Sequence, residues 1–151
     1  MSGKKTLRQE AREGVARGAK RLDRLRPGYY RRVDLDALDI SKSGDCIAVQ
    51  VEKTRLYDEA FESLGFSLKQ AERYGMYVSR SHPHQTRMYS LLTYYWKQEI
   101  RARLAKDRAR RLRRRRKIKA HFAKYRERQL QKPRRDAAAF VFLNMQSRRG
   151  T

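Results

Sequence analysis

The chain has a single cysteine, Cys46, which excludes an internal disulfide framework and a thiolate-rich zinc site. That fits a reducing compartment. Acidic residues are scarce, 16 against 39 Lys and Arg, so the chain has a formal net charge of +23 and favours anionic partners. Long apolar runs are also missing. The greasiest piece, AAAFVFLNM at 137–145, is far shorter than the roughly 20 residues of a membrane span. The opening residues, MSGKKTLRQEAREG, lack the apolar stretch of a signal peptide, so an intracellular, soluble protein is expected. Prolines number only three and tryptophans only one, so Pro27, Pro83, Pro133 and Trp96 carry positional weight.

What is abundant is arginine, and it is unevenly spread. Residues 1–32 hold 11 basic and 3 acidic residues, 33–100 hold 8 and 10, and 101–151 hold 20 and 3. The middle therefore has the balance of an ordinary domain, flanked by two polycations. Within 106–128, KDRARRLRRRRKIKAHFAKYRER, 13 of 23 residues are cations and only Asp107 and Glu127 are acids. The segment lacks Gly and Pro and is built of good helix formers. As a helix it spans roughly 35 Å at about 1.5 Å per residue. Its cations fall on every face, which leaves no clean apolar stripe for a core.

Upstream, periodicity predicts helices. Leu7, Ala11, Val15, Leu22 and Leu25 form a stripe over 6–26, with Thr6 and Gln9 spaced as a capping box and Pro27-Gly28 as the stop. Gly14 and Gly18 count against a helix here, though glycines four apart can also let another element approach closely. In Tyr29-Tyr30-Arg31-Arg32, Tyr30 is expected in the core. VDLDALDI reads as a helical turn capped by Asp34, and SKSGD as a loop. CIAVQV, 46–51, has the alternation and β-branching of a strand but no evident pairing partner, so it stays open as strand or helix. Tyr57, Ala60, Phe61 and Leu64 make a helix closed by Gly65. A second starts at Ser67 with Gln70 as its capping box, stapled by Phe66 and Ala71, and ends at Gly75. From Arg87, the stripe Met88, Leu91, Leu92, Tyr95, Trp96, Ile100 and Leu104 predicts a long helix that continues into the arginine-rich segment until Lys132-Pro133. No internal repeat is evident.

The blocks RGAKRLDRLRPGYYRRVDLDALDI, GDCIAVQV, YDEAFESLGF, YGMYVS and LLTYYWKQEI, in this order, resemble a group of small proteins from actinobacteriophages and their hosts. The resemblance covers about residues 17–103. It implies a source and a fold but no activity, because its motifs are structural and the arginine-rich segment lies outside it. With that source, the expected location is the host cytoplasm, with virion association as the alternative.

The chemistry the sequence can support is mainly electrostatic. Arg binds phosphate bidentately and stacks on bases, and His121, Phe122 and Tyr125 are interleaved as stacking surfaces. The candidate nucleic-acid contacts are Arg108, Arg110, Arg111, Arg113, Arg114, Arg115, Arg116, Lys117, Lys119, Lys124, Arg126 and Arg128. The first helix and the turn after it add an accessory basic face of Arg17, Lys20, Arg21, Arg24, Arg31 and Arg32. The competing readings are a phage structural or adaptor protein docking on an acidic protein or anionic surface, engaged through Leu112, Ile118, Phe122 and Tyr125, and a solubilising tail. His82 and His84 invite a metal, but only Cys46 and His121 could join them, and nothing in the spacing gathers four ligands. Cys46 has no histidine at an informative spacing, and the acids of VDLDALD and YDEAFE read as caps and solvated faces. No phosphate-cradling Gly-rich loop, nucleophile elbow or zincin motif is present. The expectation is a non-enzymatic, cofactor-free, mostly α-helical protein. It would comprise a small helical domain over 1–105, a basic helical arm over 106–131 and a mobile tail over 132–151, with RNA or DNA as partner.

Overall fold

The computed structural model describes residues 5–147, and the side chains of residues 5–131. The chain is mostly α-helical, with no strand among the described residues. The helices are α1 (Leu7–Leu25), α2 (Ile47–Glu52), α3 (Tyr57–Leu64), α4 (Leu68–Arg73) and α5 (Gln85–Ser147), with a 3₁₀ turn at Tyr29–Arg32. Two units divide the chain, Met1–Lys106 and Asp107–Thr151.

The first unit is organised around α1. Thr6 accepts from the Gln9 N–H while the Gln9 side chain accepts from the Thr6 N–H at 3.0 Å, the reciprocal capping box. Ala11, Val15, Ala19 and Leu22 are buried, joined by Gly14 and Gly18. The two glycines do let another segment approach. A Cβ on Gly18 would stand 2.1 Å from the Tyr74 carbonyl oxygen and 2.9 Å from the Trp96 ring. A Cβ on Gly14 would meet Gly75 Cα at 3.4 Å. The Tyr74-Gly75 turn therefore lies directly on the α1 backbone, and Trp96 from α5 closes over it.

Short helices build the rest of this unit, each stopped by a specific device. After α3, Gly65 takes a left-handed conformation (φ 70°), and the Phe66 N–H donates to the Phe61 carbonyl at 2.8 Å while Gly65 donates to Glu62. The same pair of bonds closes α4, from Met76 to Ala71 and from Gly75 to Glu72. Ser67 and Gln70 form the second capping box. Asp34 caps its own turn, accepting from the Asp36 N–H at 2.9 Å.

The segment left open between strand and helix is helix α2, with Cys46 as its N-cap residue and Lys53 left-handed beyond it. Ile47, Ala48, Val49 and Val51 are all buried. Burial on several sides outweighs β-propensity, which is small and dependent on context. The Tyr30 expectation is also revised. Gly28 (φ 75°) turns the chain so that Tyr29 is the fully buried ring, while Tyr30 stays half-buried and edge-on to it at 5.8 Å.

Along α5, Met88, Leu92, Trp96 and Ile100 are buried in the first unit, and Leu91, Tyr95 and Leu104 pack beside them. Burying an aromatic of this kind removes about 150–250 Å² from water, on the order of 4–6 kcal/mol at about 25 cal/mol/Å². The helix runs on through Pro133 to Ser147, past the expected break. A proline omits one backbone bond, here to Gln129, and the alanines at 137–139 are strong helix formers that let the helix resume. The side chains of the expected apolar patch at 137–145, and residues 148–151, lie outside the described residues.

Candidate nucleic-acid interface

The second unit carries the cations singled out above. Every side chain from Arg108 to Gln131 is exposed. Like charges three and four residues apart on a helix are destabilising by about 0.2–0.5 kcal/mol per pair, and this helix repeats them turn after turn. Asp107 relieves one position, its carboxylate lying 3.1 Å from the Arg111 guanidinium. Among the described residues, no hydrogen bond or ion pair engages Arg108, Arg110, Arg113, Arg114, Arg115, Arg116 or Lys117. The same holds for Lys119, Lys124, Arg126 and Arg128. Arg111 is thus the one cation of the set with an internal partner shown, so its charge is partly spent.

Apolar side chains are interleaved with them. Leu112, Ile118, Phe122, Tyr125 and Leu130 are all exposed, and Phe122 stands edge-on to His121 at 6.1 Å between ring centres. At about 100° per residue, Ile118, Phe122 and Tyr125 share an arc of about 60°, with Leu112 and Leu130 outside it. The unit offers short apolar surfaces set among guanidinium groups.

The accessory basic face is split by the structure. Arg17, Lys20, Arg21 and Arg24 line one hollow on the first unit. Arg31 lies over the Tyr30 ring at 5.6 Å, and Arg32 donates to the Val51 carbonyl at 3.3 Å. These two are not part of the hollow. Arg73 and Tyr74, from the end of α4, complete it instead. No sequence signal links them to α1, because the juxtaposition depends on the close approach that Gly18 permits.

Two other charged groups serve the fold. Arg26 forms a fork on Glu52, with Nε 2.8 Å from Oε1 and Nη2 2.9 Å from Oε2, and Ser63 donates to the same carboxylate. Burial pushes the Glu52 carboxyl up, but hydrogen bonds from Arg26 and Ser63 and the charges of Arg26 and Arg32 outweigh it. The net position is below the usual glutamate range. Arg103 joins Asp23 at 2.7 Å and Glu99, and lies 5.8 Å from the Tyr29 ring centre. Its desolvation is outweighed by the hydrogen bond and charge of Asp23, with Tyr29 and Tyr30 adding to it, so its pKa is raised.

The remaining candidates are placed as follows. The His84 N–H donates to His82 Nδ1 at 3.1 Å, so the pair forms a local turn. No group of three His, Cys, Asp or Glu side chains is arranged to hold a metal among the described residues. Cys46 is buried, and that burial pushes its thiol up, away from the reactive thiolate. Asp39 accepts from Ser41, whose hydroxyl is the main cause of its lowered carboxyl pKa. No described helix is long and apolar enough to cross a membrane. No family model, curated protein or solved structure matches the chain.

Proposed function

We propose that the protein binds nucleic acid, contacting phosphates through the arginine-rich part of α5 between Arg108 and Arg128. The observation that carries this reading is the exposure of these cations with no ion pair to an acid among the described residues, Arg111 apart. Each phosphate they neutralise releases condensed counterions, so log K should fall with log salt at about 0.9 per contact on duplex DNA and about 0.7 on single strands. Phosphate contacts carry no base information, so affinity should depend weakly on sequence. His121, Phe122 and Tyr125 add stacking surfaces for unpaired bases. The resemblance of residues 17–103 to actinobacteriophage proteins makes a phage-encoded accessory or regulatory role the fitting context.

The test uses fluorescence anisotropy of the full chain with an RNA hairpin, a DNA duplex and a single strand at two salt concentrations. Replacing Arg110, Arg111, Arg113, Arg114, Arg115, Arg116 and Lys117 with Gln should abolish binding and leave the circular dichroism of the fold intact. Binding that persists at full strength overturns the reading. A second reading, docking on an acidic protein, is favoured by the exposed arc of Ile118, Phe122 and Tyr125. It requires F122A and Y125A to cripple association more than charge removal does. Purification with and without nuclease separates the two partner classes directly.

A further inference from the structure

A second cationic site lies on the first unit and owes nothing to the arginine-rich helix. Arg17, Lys20, Arg21 and Arg24 recur at three- and four-residue steps on α1, and Arg73 and Tyr74 come from the end of α4. Together these six residues line a hollow of about 290 Å³ with no carboxylate in its wall. A water molecule occupies about 30 Å³ of liquid volume, so the hollow admits a phosphate group with several waters.

Three features distinguish this hollow from a scatter of surface charge. The Arg17 Nε donates to the Arg73 carbonyl at 3.1 Å, which ties α1 to the α4 terminus and holds the guanidinium in place. The Arg17 Nη1 also lies 3.6 Å from Glu13, whose carboxylate is shared with Lys5 and stands outside the lining. Arg21 lines the same wall with its Nε shut off from solvent, so the root of its guanidinium is enclosed. Lys20, Arg24 and Arg73 complete the ring as exposed cations. Folding has gathered five like charges around one concavity with no carboxylate in its wall, a mutual repulsion that an anion bound there would relieve.

We propose that this hollow is a phosphate-binding site, in which Arg21 and Arg73 supply guanidinium donors from two helices and Lys20 and Arg24 supply charge at the rim. The ligand is a phosphate group, either free as a small polyphosphate or carried on a nucleic-acid backbone. The site does not depend on the proposed role of α5, and the test keeps the two apart.

The full chain carrying the seven α5 substitutions to Gln is labelled with ¹⁵N and titrated with inorganic pyrophosphate, followed by amide shifts. Saturable shifts are expected at residues 17–24 and 73–75. Lys20→Gln with Arg24→Gln, both solvent-exposed and so no threat to folding, should weaken pyrophosphate at least tenfold. Arg21→Gln with Arg73→Gln should do the same. Arg8→Gln with Arg12→Gln removes the same charge from α1 outside the hollow and should leave affinity within twofold. A parallel titration with a 12-nucleotide single strand distinguishes the sources. Tighter binding of the strand that is lost with Lys20→Gln and Arg24→Gln identifies backbone phosphate in the hollow, and binding of pyrophosphate alone identifies a small phosphate compound. Non-saturable shifts, or equal losses in the Arg8/Arg12 control, would overturn the site.

Discussion

The indole Nε1 of Trp96 donates a buried hydrogen bond of 2.6 Å to the carbonyl of Gly75. This bond joins the single tryptophan to the glycine whose left-handed turn ends α4, at the place where that turn rests on α1. Trp96→Phe keeps most of the ring but strands the Gly75 carbonyl away from water. The expected cost is about 1–3 kcal/mol, read as a lower urea midpoint at unchanged m-value. An unchanged midpoint would mean that the bond contributes nothing.

The two α1 glycines should respond very differently to alanine. Gly18→Ala drives its methyl into the Tyr74 carbonyl, a backbone atom that cannot swing aside, with the Trp96 ring also in the way. Overpacking of this kind costs about 1–3 kcal/mol and occasionally more, so this variant should be severely destabilised. Gly14→Ala meets only ordinary to tight contact at Gly75 and gains up to about 1 kcal/mol of helix propensity. Its net effect should stay within about 1 kcal/mol of the parent. Comparing the two thermal unfolding curves checks both expectations.

Acid should weaken the fold in part through Glu52. Its carboxylate is favoured by folding, with Arg26 and Ser63 hydrogen bonds overriding desolvation. The stability it contributes is fully present above the usual glutamate value of about 4.3. It is lost as pH falls through the lowered folded value. Glu52→Gln should therefore be less stable near neutrality, and its unfolding midpoint should fall less steeply in acid than that of the parent. Arg26→Gln leaves the carboxylate enclosed without its fork and should cost about 1.5–3 kcal/mol at neutral pH.

Within α5 the cations should be unequal. Arg111 shares its charge with Asp107, whereas Arg114 and Arg115 have no such partner among the described residues. Arg111→Gln should weaken nucleic-acid binding less than Arg114→Gln or Arg115→Gln. Asp107→Asn should strengthen binding, because it frees Arg111 and removes an anion. The salt dependence of affinity for each single variant is the measurement. A weaker Asp107→Asn complex would contradict the electrostatic reading.

Local chemistry was legible in the sequence wherever a device acts within a few residues. Both capping boxes, the glycine stops at Gly28, Gly65 and Gly75, the Asp34-capped turn and the Met88-to-Ile100 stripe depend on spacing that a linear chain carries intact. Charge density is likewise a property of composition, so the arginine-rich part of α5 is legible in the sequence alone. Tertiary structure decided what depends on residues far apart in the chain. It made 47–52 a helix, because burial outweighs the weak strand preference of Ile and Val, and it put Tyr29 rather than Tyr30 in the core. It also divided the expected basic face, setting Arg31 and Arg32 aside and bringing Arg73 to α1 across an approach that Gly14 and Gly18 permit. Spacing along the chain reports which side chains share a helix face; only packing determines which faces meet.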